Sequence, residues 1–245
     1  MTQILPKFGQ FNLFFMKFFT LSVIPLLVCC GFPKSTAMND QASLTFLALG
    51  DSYTIGEAVE ENERWPVQLS ARLGEDGIAI NAPLIIAKTG WTTDELQEGI
   101  AKADVSGTYD LVTLLIGVNN QYRGYPISQY EKEFGELLDQ AIGFAGGDPA
   151  RVFVVSIPDY GVTPFSKVNG LDPDKIATEL DAYNAMAQTI AESKKVSFTD
   201  ITPGSRLAAD DGSLVAADGL HPSGKMYTQW VDAVYEKIYQ YISGR

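Results

Sequence analysis

Five short apolar runs, at residues 44–49, 84–87, 110–116, 151–157 and 196–199, end in turn-forming residues and alternate with stretches of helical period. Short runs without three-to-four spacing read as buried strands. Helical spacing follows at 64–73, from Thr92 or Thr93 onward, over Ile127–Phe144 and Pro173–Ser193, and from Pro222 to the end. Pro66 suits a first helical turn, Gly74 a stop, and Ser128 a cap. In the last helix Met226, Trp230, Val234 and Ile238 fall on one face. Strand and helix alternating five times predict an α/β chain: a three-layer α/β/α sandwich around a five-stranded parallel sheet, joined by right-handed crossovers. Residues 38–245 read as a single domain.

In such a sheet, ligands gather outside the carboxyl ends of the strands, so the residues that follow each run carry the functional reading. Gly50-Asp51-Ser52 follows the first; Ser52 is either a cap or a nucleophile. Gly90 follows the second and either makes a turn or brings its N–H close to a ligand. Gly117-Val118-Asn119 follows the third. Asn119 either bonds its own backbone or donates to an oxygen gaining negative charge. The fourth exit, 158–165, is rich in turn formers and aromatics, and reads as a substrate loop or as purely structural. Asp51, Tyr122, Asp159 and Tyr160 are the candidate substrate contacts. Arg123 either pins its loop or faces solvent, and Trp65 is a core or lid residue. Near the far end stands the sole histidine, in Asp218-Gly219-Leu220-His221-Pro222-Ser223. A carboxylate three residues before an imidazole can fold back and orient it, completing the logic of nucleophile, base and orienting group.

Gly50-Asp51-Ser52, Gly90, Gly117-Val118-Asn119 and Asp218-x-x-His221 together resemble the four ordered sequence blocks of the SGNH, or GDSL-type, hydrolase family. The resemblance covers nearly all of residues 38–245. It implies the flavodoxin-like SGNH hydrolase fold and a serine esterase working through Ser52, His221 and Asp218. It further implies an oxyanion hole from the N–H groups of Ser52 and Gly90 and the Asn119 side chain. The chain departs from the family pattern at Asn120, where Asp is usual, which bears on hydrogen bonding within that loop. Expected substrates are small acyl esters, on carbohydrate or of lysolipid type. A thioesterase or lysophospholipase of the same family, or a non-catalytic binding protein on the same scaffold, is the alternative. No Gly-Lys-Ser/Thr phosphate loop and no Gly-x-Ser-x-Gly elbow occurs.

Residues 1–37 differ in kind. They carry Lys7, Lys17 and Lys34, no acid, and an apolar core at 18–31 followed by small residues. That pattern reads as a secretory signal peptide, too short in its core to span a membrane, with Met16 as an alternative start. Both cysteines, Cys29 and Cys30, fall inside it. Leu26-Leu27-Val28-Cys29-Cys30-Gly31 also resembles a lipoprotein signal with Cys30 as the lipid anchor. The expected location is therefore periplasmic or secreted, or membrane-anchored. Without this segment the chain holds 15 basic against 30 acidic residues, a charge of −15, which argues against nucleic acid or anionic membrane as a partner. One histidine and no remaining cysteine leave a catalytic zinc dependent on carboxylates, so neither metal nor cofactor is expected.

Overall fold

The computed structural model describes residues 43–244; the expected signal segment and Cys30 lie outside them. Strand β1 (Phe46–Asp51) runs directly into a single helical turn, α1 (Ser52–Ile55), followed by α2 (Trp65–Glu75), β2 (Leu84–Lys88), α3 (Thr93–Lys102) and β3 (Leu111–Leu115). A second short helix, α4 (Val118–Tyr122), precedes α5 (Ile127–Phe144) and β4 (Val152–Val155). Then come α6 (Pro164–Val168), α7 (Pro173–Ser193), β5 (Ser197–Thr199), α8 (Thr202–Ser205) and α9 (Gly224–Ser243).

The strands form one parallel sheet in the order β2-β1-β3-β4-β5. Helix α2 packs on α9, while α3 packs on α5 and α5 on α7, and the sheet lies between these helical layers as expected. Every residue of β1, β3 and β4 is buried; strands covered on both faces are near-continuous apolar runs, interrupted here by Thr113 and closed by Asp51, which is why they stand out in the sequence. The predicted inner face of α9 (Met226, Trp230, Val234, Ile238) is buried, and Trp65 belongs to the core at 1% exposure.

Local differences have local causes. Helix α5 begins after Pro126 with no side-chain cap, so Ser128 lies inside it. Helix α2 continues one residue past Gly74. Helix α9 starts at Gly224, capped by Ser223, whose hydroxyl accepts from the Met226 N–H. Pro222 instead pairs with Val215 in an isolated antiparallel bridge.

Register aligns the strand exits. Asp51 sits beside Lys88 of β2, and Gly50 beside both Ala87 of β2 and Leu115 of β3. The segments after β1, β2 and β3 therefore leave the sheet side by side. The strand order reverses around β1, where open α/β sheets make a crevice.

Candidate active site

Gly50 lets Thr54 of α1 and the Leu115 carbonyl of β3 close in on the end of β1. A Cβ there would stand 2.2 Å from Thr54 Oγ1 and 2.4 Å from the Leu115 carbonyl oxygen, so only glycine fits. Asp51 then caps α1: its Oδ1 accepts from the Tyr53 N–H at 3.0 Å. This presents Ser52 as the first helical residue, 5% exposed.

After β2, Lys88 to Trp91 make a turn in which the Trp91 N–H donates to the Lys88 carbonyl at 3.2 Å. Gly90 has φ +87°, the left-handed geometry such turns reserve for glycine. After β3, Gly117 (φ +129°) presses against Tyr130 and Ile157 and opens α4. Asn119, on α4, donates from Nδ2 to the Trp91 carbonyl at 2.9 Å. The unexpected Asn120 is fully buried. It accepts from the Thr93 N–H at 3.0 Å and donates to Thr93 Oγ1 at 2.7 Å, while that hydroxyl donates to Glu133. With its proton given to Glu133, the hydroxyl needs a donor, which the amide supplies and an ionised Asp would not.

The loop before α9 holds the histidine. Asp218 Oδ1 accepts from the N–H groups of Leu220 (2.9 Å) and His221 (3.0 Å), and Oδ2 lies 2.5 Å from His221 Nδ1. Burial pushes the Asp218 carboxyl up, but the hydrogen bonds from the His221 ring and the two backbone N–H groups more than offset it and hold it below its ordinary value. The loop is tied down by Ala216 N–H to His221 C=O (2.7 Å) and Phe165 N–H to Gly219 C=O (2.8 Å). Tyr53 meets the imidazole edge-on at 5.8 Å between ring centroids.

Ser52, Gly90, Asn119 and His221 line one cleft of about 160 Å³ together with Tyr53, Thr89, Val118, Tyr122, Tyr160, Phe165 and Leu220. Segments far apart in the sequence are thereby brought together around the Ser52 hydroxyl and the His221 imidazole. Tyr122 and Tyr160, expected as contacts, form walls; they meet edge-on at 6.0 Å, and Tyr122 also meets Phe165 at 6.4 Å. Gln121 fixes Tyr160 by accepting from its hydroxyl at 3.0 Å and donating to Glu179 at 2.8 Å.

Two carboxylates expected as substrate contacts do not line this cleft. Asp51 is wholly buried and faces its own helix turn; burial lifts its carboxyl from 3.8 to about 7, against the hydrogen bonds from the Tyr53 and Asp51 N–H groups. Asp159, 3% exposed, accepts from the Gly161 N–H and pairs with Arg206 at 2.8 Å. It lines a void behind His221, not the cleft. Both are turn-capping acids, which sequence alone does not separate from ligand-facing ones. Phe165 belongs to the exit read as a substrate loop, whereas Val118, Leu220 and Thr89 were not singled out as cleft walls; each reaches the cleft only through tertiary packing. Among the described residues, no group of three His, Cys, Asp or Glu side chains could hold a metal, and no helix is long and apolar enough to cross a membrane.

A family model described as the GDSL-like Lipase/Acylhydrolase family matches residues 48–229. No curated protein matches the chain by sequence. Among solved structures, TesA is similar at 17% identity and TM-score 0.61, covering 80% of this chain and 99% of its own. The psychrotrophic esterase EstA from Pseudoalteromonas sp. is similar at 16% identity and TM-score 0.60, with coverages of 82% and 100%. A variant of Axe2, an acetyl xylan esterase from Geobacillus stearothermophilus, is similar at 20% identity and TM-score 0.59, with coverages of 80% and 94%. At these identities the likeness is one of fold.

Proposed function

We propose, on the premise that this chain belongs to the GDSL-like lipase/acylhydrolase family and is an ester-bond hydrolase, that it removes short acyl groups from carbohydrate esters through Ser52, His221 and Asp218. The observation that carries this reading is the shared cleft: Ser52, Gly90, Asn119 and His221 line it, and His221 Nδ1 rests on Asp218. With Nδ1–H donated to the carboxylate, Nε2 is the ring nitrogen that takes a proton from Ser52 Oγ as the hydroxyl attacks the ester carbonyl. The same nitrogen returns that proton to the departing alcohol, and a water then repeats the sequence to release the acid. Asp218, held ionised, stabilises the imidazolium formed at each step. The N–H groups of Ser52 and Gly90 and the Asn119 amide receive the oxyanion.

Two features support the substrate class. The cleft, at about 160 Å³, is small beside the roughly 300–1,000 Å³ of pockets that enclose drug-sized ligands, and its apolar walls suit an acetyl or similar group. Beyond Tyr122 and Tyr160 a neighbouring cavity of about 350 Å³ sets Gln121, Asp172, Lys175 and Glu179 beside Leu171 and Ile176; its charged and amide groups can hydrogen-bond a hydroxyl-rich alcohol. The basic and apolar pattern of residues 1–37 supports an exported enzyme, free or anchored through Cys30.

A fluorophosphonate probe and a nitrophenyl ester series test the reading. Labelling falls on Ser52, disappears in Ser52→Ala and weakens in His221→Ala; acetate esters turn over faster than decanoate esters, and acetylated xylooligosaccharides release acetate. Hydrolysis that survives unchanged in both variants overturns the triad, and a preference for decanoate favours a lysophospholipase or thioesterase.

A further inference from the structure

The proposed oxyanion hole draws its donors from separate segments: Gly90 from the turn after β2, Asn119 from α4 after β3. Glycine is the residue with the greatest backbone freedom, so something outside the turn must hold Gly90. Two side chains from one short stretch do so. Asn119 Nδ2 reaches the Trp91 carbonyl at 2.9 Å, and Arg123 Nη2 donates to the Gly90 carbonyl itself at 2.6 Å.

Arg123 is in turn held in place. Its Nη2 lies 3.2 Å from Glu95 Oε2, with both side chains about two-fifths exposed. The same Glu95 oxygen accepts from the Thr92 N–H (3.0 Å) and Thr92 Oγ1 (3.1 Å), a capping box that fixes the first turn of α3. Burial would raise the Glu95 carboxyl, but the bonds from Thr92 and Arg123 more than offset it and hold it below its ordinary value. Arg123 thus spans the carbonyl of Gly90 and the carboxylate that caps the next helix, closing a loop of bonds around residues 90–95.

We infer that Arg123 is a positioning residue: its guanidinium fixes the Gly90 turn against α4, so that the Gly90 N–H and the Asn119 amide converge on one point when negative charge develops. Its place supports this, because it touches the turn's carbonyl and is absent from the cleft lining. A planar guanidinium can hold a carbonyl and a carboxylate at once; a lysine ammonium brings charge without that fixed fork. Arg123 therefore matters in the transition state more than in substrate binding, since an oxyanion hole acts where charge develops. This rests on the esterase reading above, and the test separates the two.

Arg123→Ala and Arg123→Lys are compared with the wild type on nitrophenyl acetate, with melting temperature recorded for each. Misplacement by about an ångström can cost a hundredfold in rate. The expected result is that kcat falls at least about tenfold in Arg123→Ala with KM within roughly twofold, and recovers in part in Arg123→Lys. Inhibition by an alkyl boronic acid, which forms a tetrahedral adduct on the serine, weakens by a similar factor, while inhibition by acetate, the product, stays put. Added guanidinium at millimolar concentration restores part of the lost kcat. A loss confined to KM, an unchanged boronate affinity, or a kcat that tracks melting temperature across both variants overturns the inference. Wild-type protein that turns over in a Ser52-dependent way while Arg123→Ala keeps its kcat overturns this inference alone. Wild-type protein without Ser52-dependent turnover overturns both.

Discussion

His221 Nδ1 lies 2.5 Å from Asp218 Oδ2, while the other oxygen of the same carboxylate accepts from the His221 and Leu220 N–H groups. One carboxylate thus fixes both the backbone and the ring of the residue three positions on. In Asp218→Asn the amide can still accept through one oxygen, but turns an N–H towards Nδ1 and imposes the wrong tautomer. The expected loss in kcat is about 10⁴-fold, as in other enzymes of this logic, with a melting temperature that, relative to the wild type, is somewhat lower at neutral pH than at pH below the carboxylate range. Because its hydrogen bonds hold the Asp218 carboxyl below its ordinary value, it stays ionised as pH falls through the usual carboxylate range. Its contribution to stability is present above the unfolded value and is lost only as pH falls through the lower, folded one. Steady-state kinetics on nitrophenyl acetate and thermal melts check both halves.

Asn119 and Gly90 test the oxyanion hole from two directions. Asn119→Ala removes an amide donor and is expected to lower kcat by roughly 10²–10³-fold with KM nearly unchanged. Gly90→Ala meets no clash, since the nearest atom to the added Cβ is Arg123 Nη2 at 3.7 Å. Its penalty is backbone strain at φ +87°, about 1–2 kcal/mol, seen as a lower melting temperature. If the turn relieves that strain by flipping, its N–H turns away and kcat falls as well. An Asn119→Ala variant that keeps full kcat removes the side chain from the oxyanion hole.

Tyr122 stands between the small cleft and the larger neighbouring cavity, lining both at 54% exposure. Tyr122→Ala merges the two spaces. Since each methylene of discrimination in an apolar pocket is worth about 1–3 kcal/mol, kcat/KM for butyrate and hexanoate esters relative to acetate is expected to rise at least several-fold. An unchanged acyl-length profile would show that Tyr122 sets no boundary.

How far the sequence speaks depends on how far apart the interacting residues are. The strands were legible because β1, β3 and β4 are buried on both faces and so are nearly continuous apolar runs. The Asp218–His221 pair was legible because its partners are three residues apart. The one-turn helices α1 and α4 were not, since a single turn has no period to read. Nor were Asp159 with Arg206, 47 residues apart, or Arg123 with Gly90, 33 apart; such pairs exist only because the sheet register brings separate exits side by side. The cleft wall Val118 follows the same rule.

Asp51 gives the sharpest prediction about stability. It is fully buried beside the candidate nucleophile; Oδ1 caps α1, while Oδ2 has no partner among the described residues. Burial raises its carboxyl from 3.8 to about 7. Between those values the folded chain holds a proton that the unfolded chain has lost, so stability falls as pH rises through this window. The full penalty is felt above about pH 7 and amounts to about 4 kcal/mol for a shift of this size. Asp51→Asn keeps the oxygen that caps α1 and removes the charge. Its melting temperature is expected to lie near that of the wild type at pH 4 and to exceed it by a widening margin towards pH 8. Other titrating groups cancel in that difference. A margin that stays constant from pH 4 to 8 would show that this carboxyl does not titrate in the folded protein over that range.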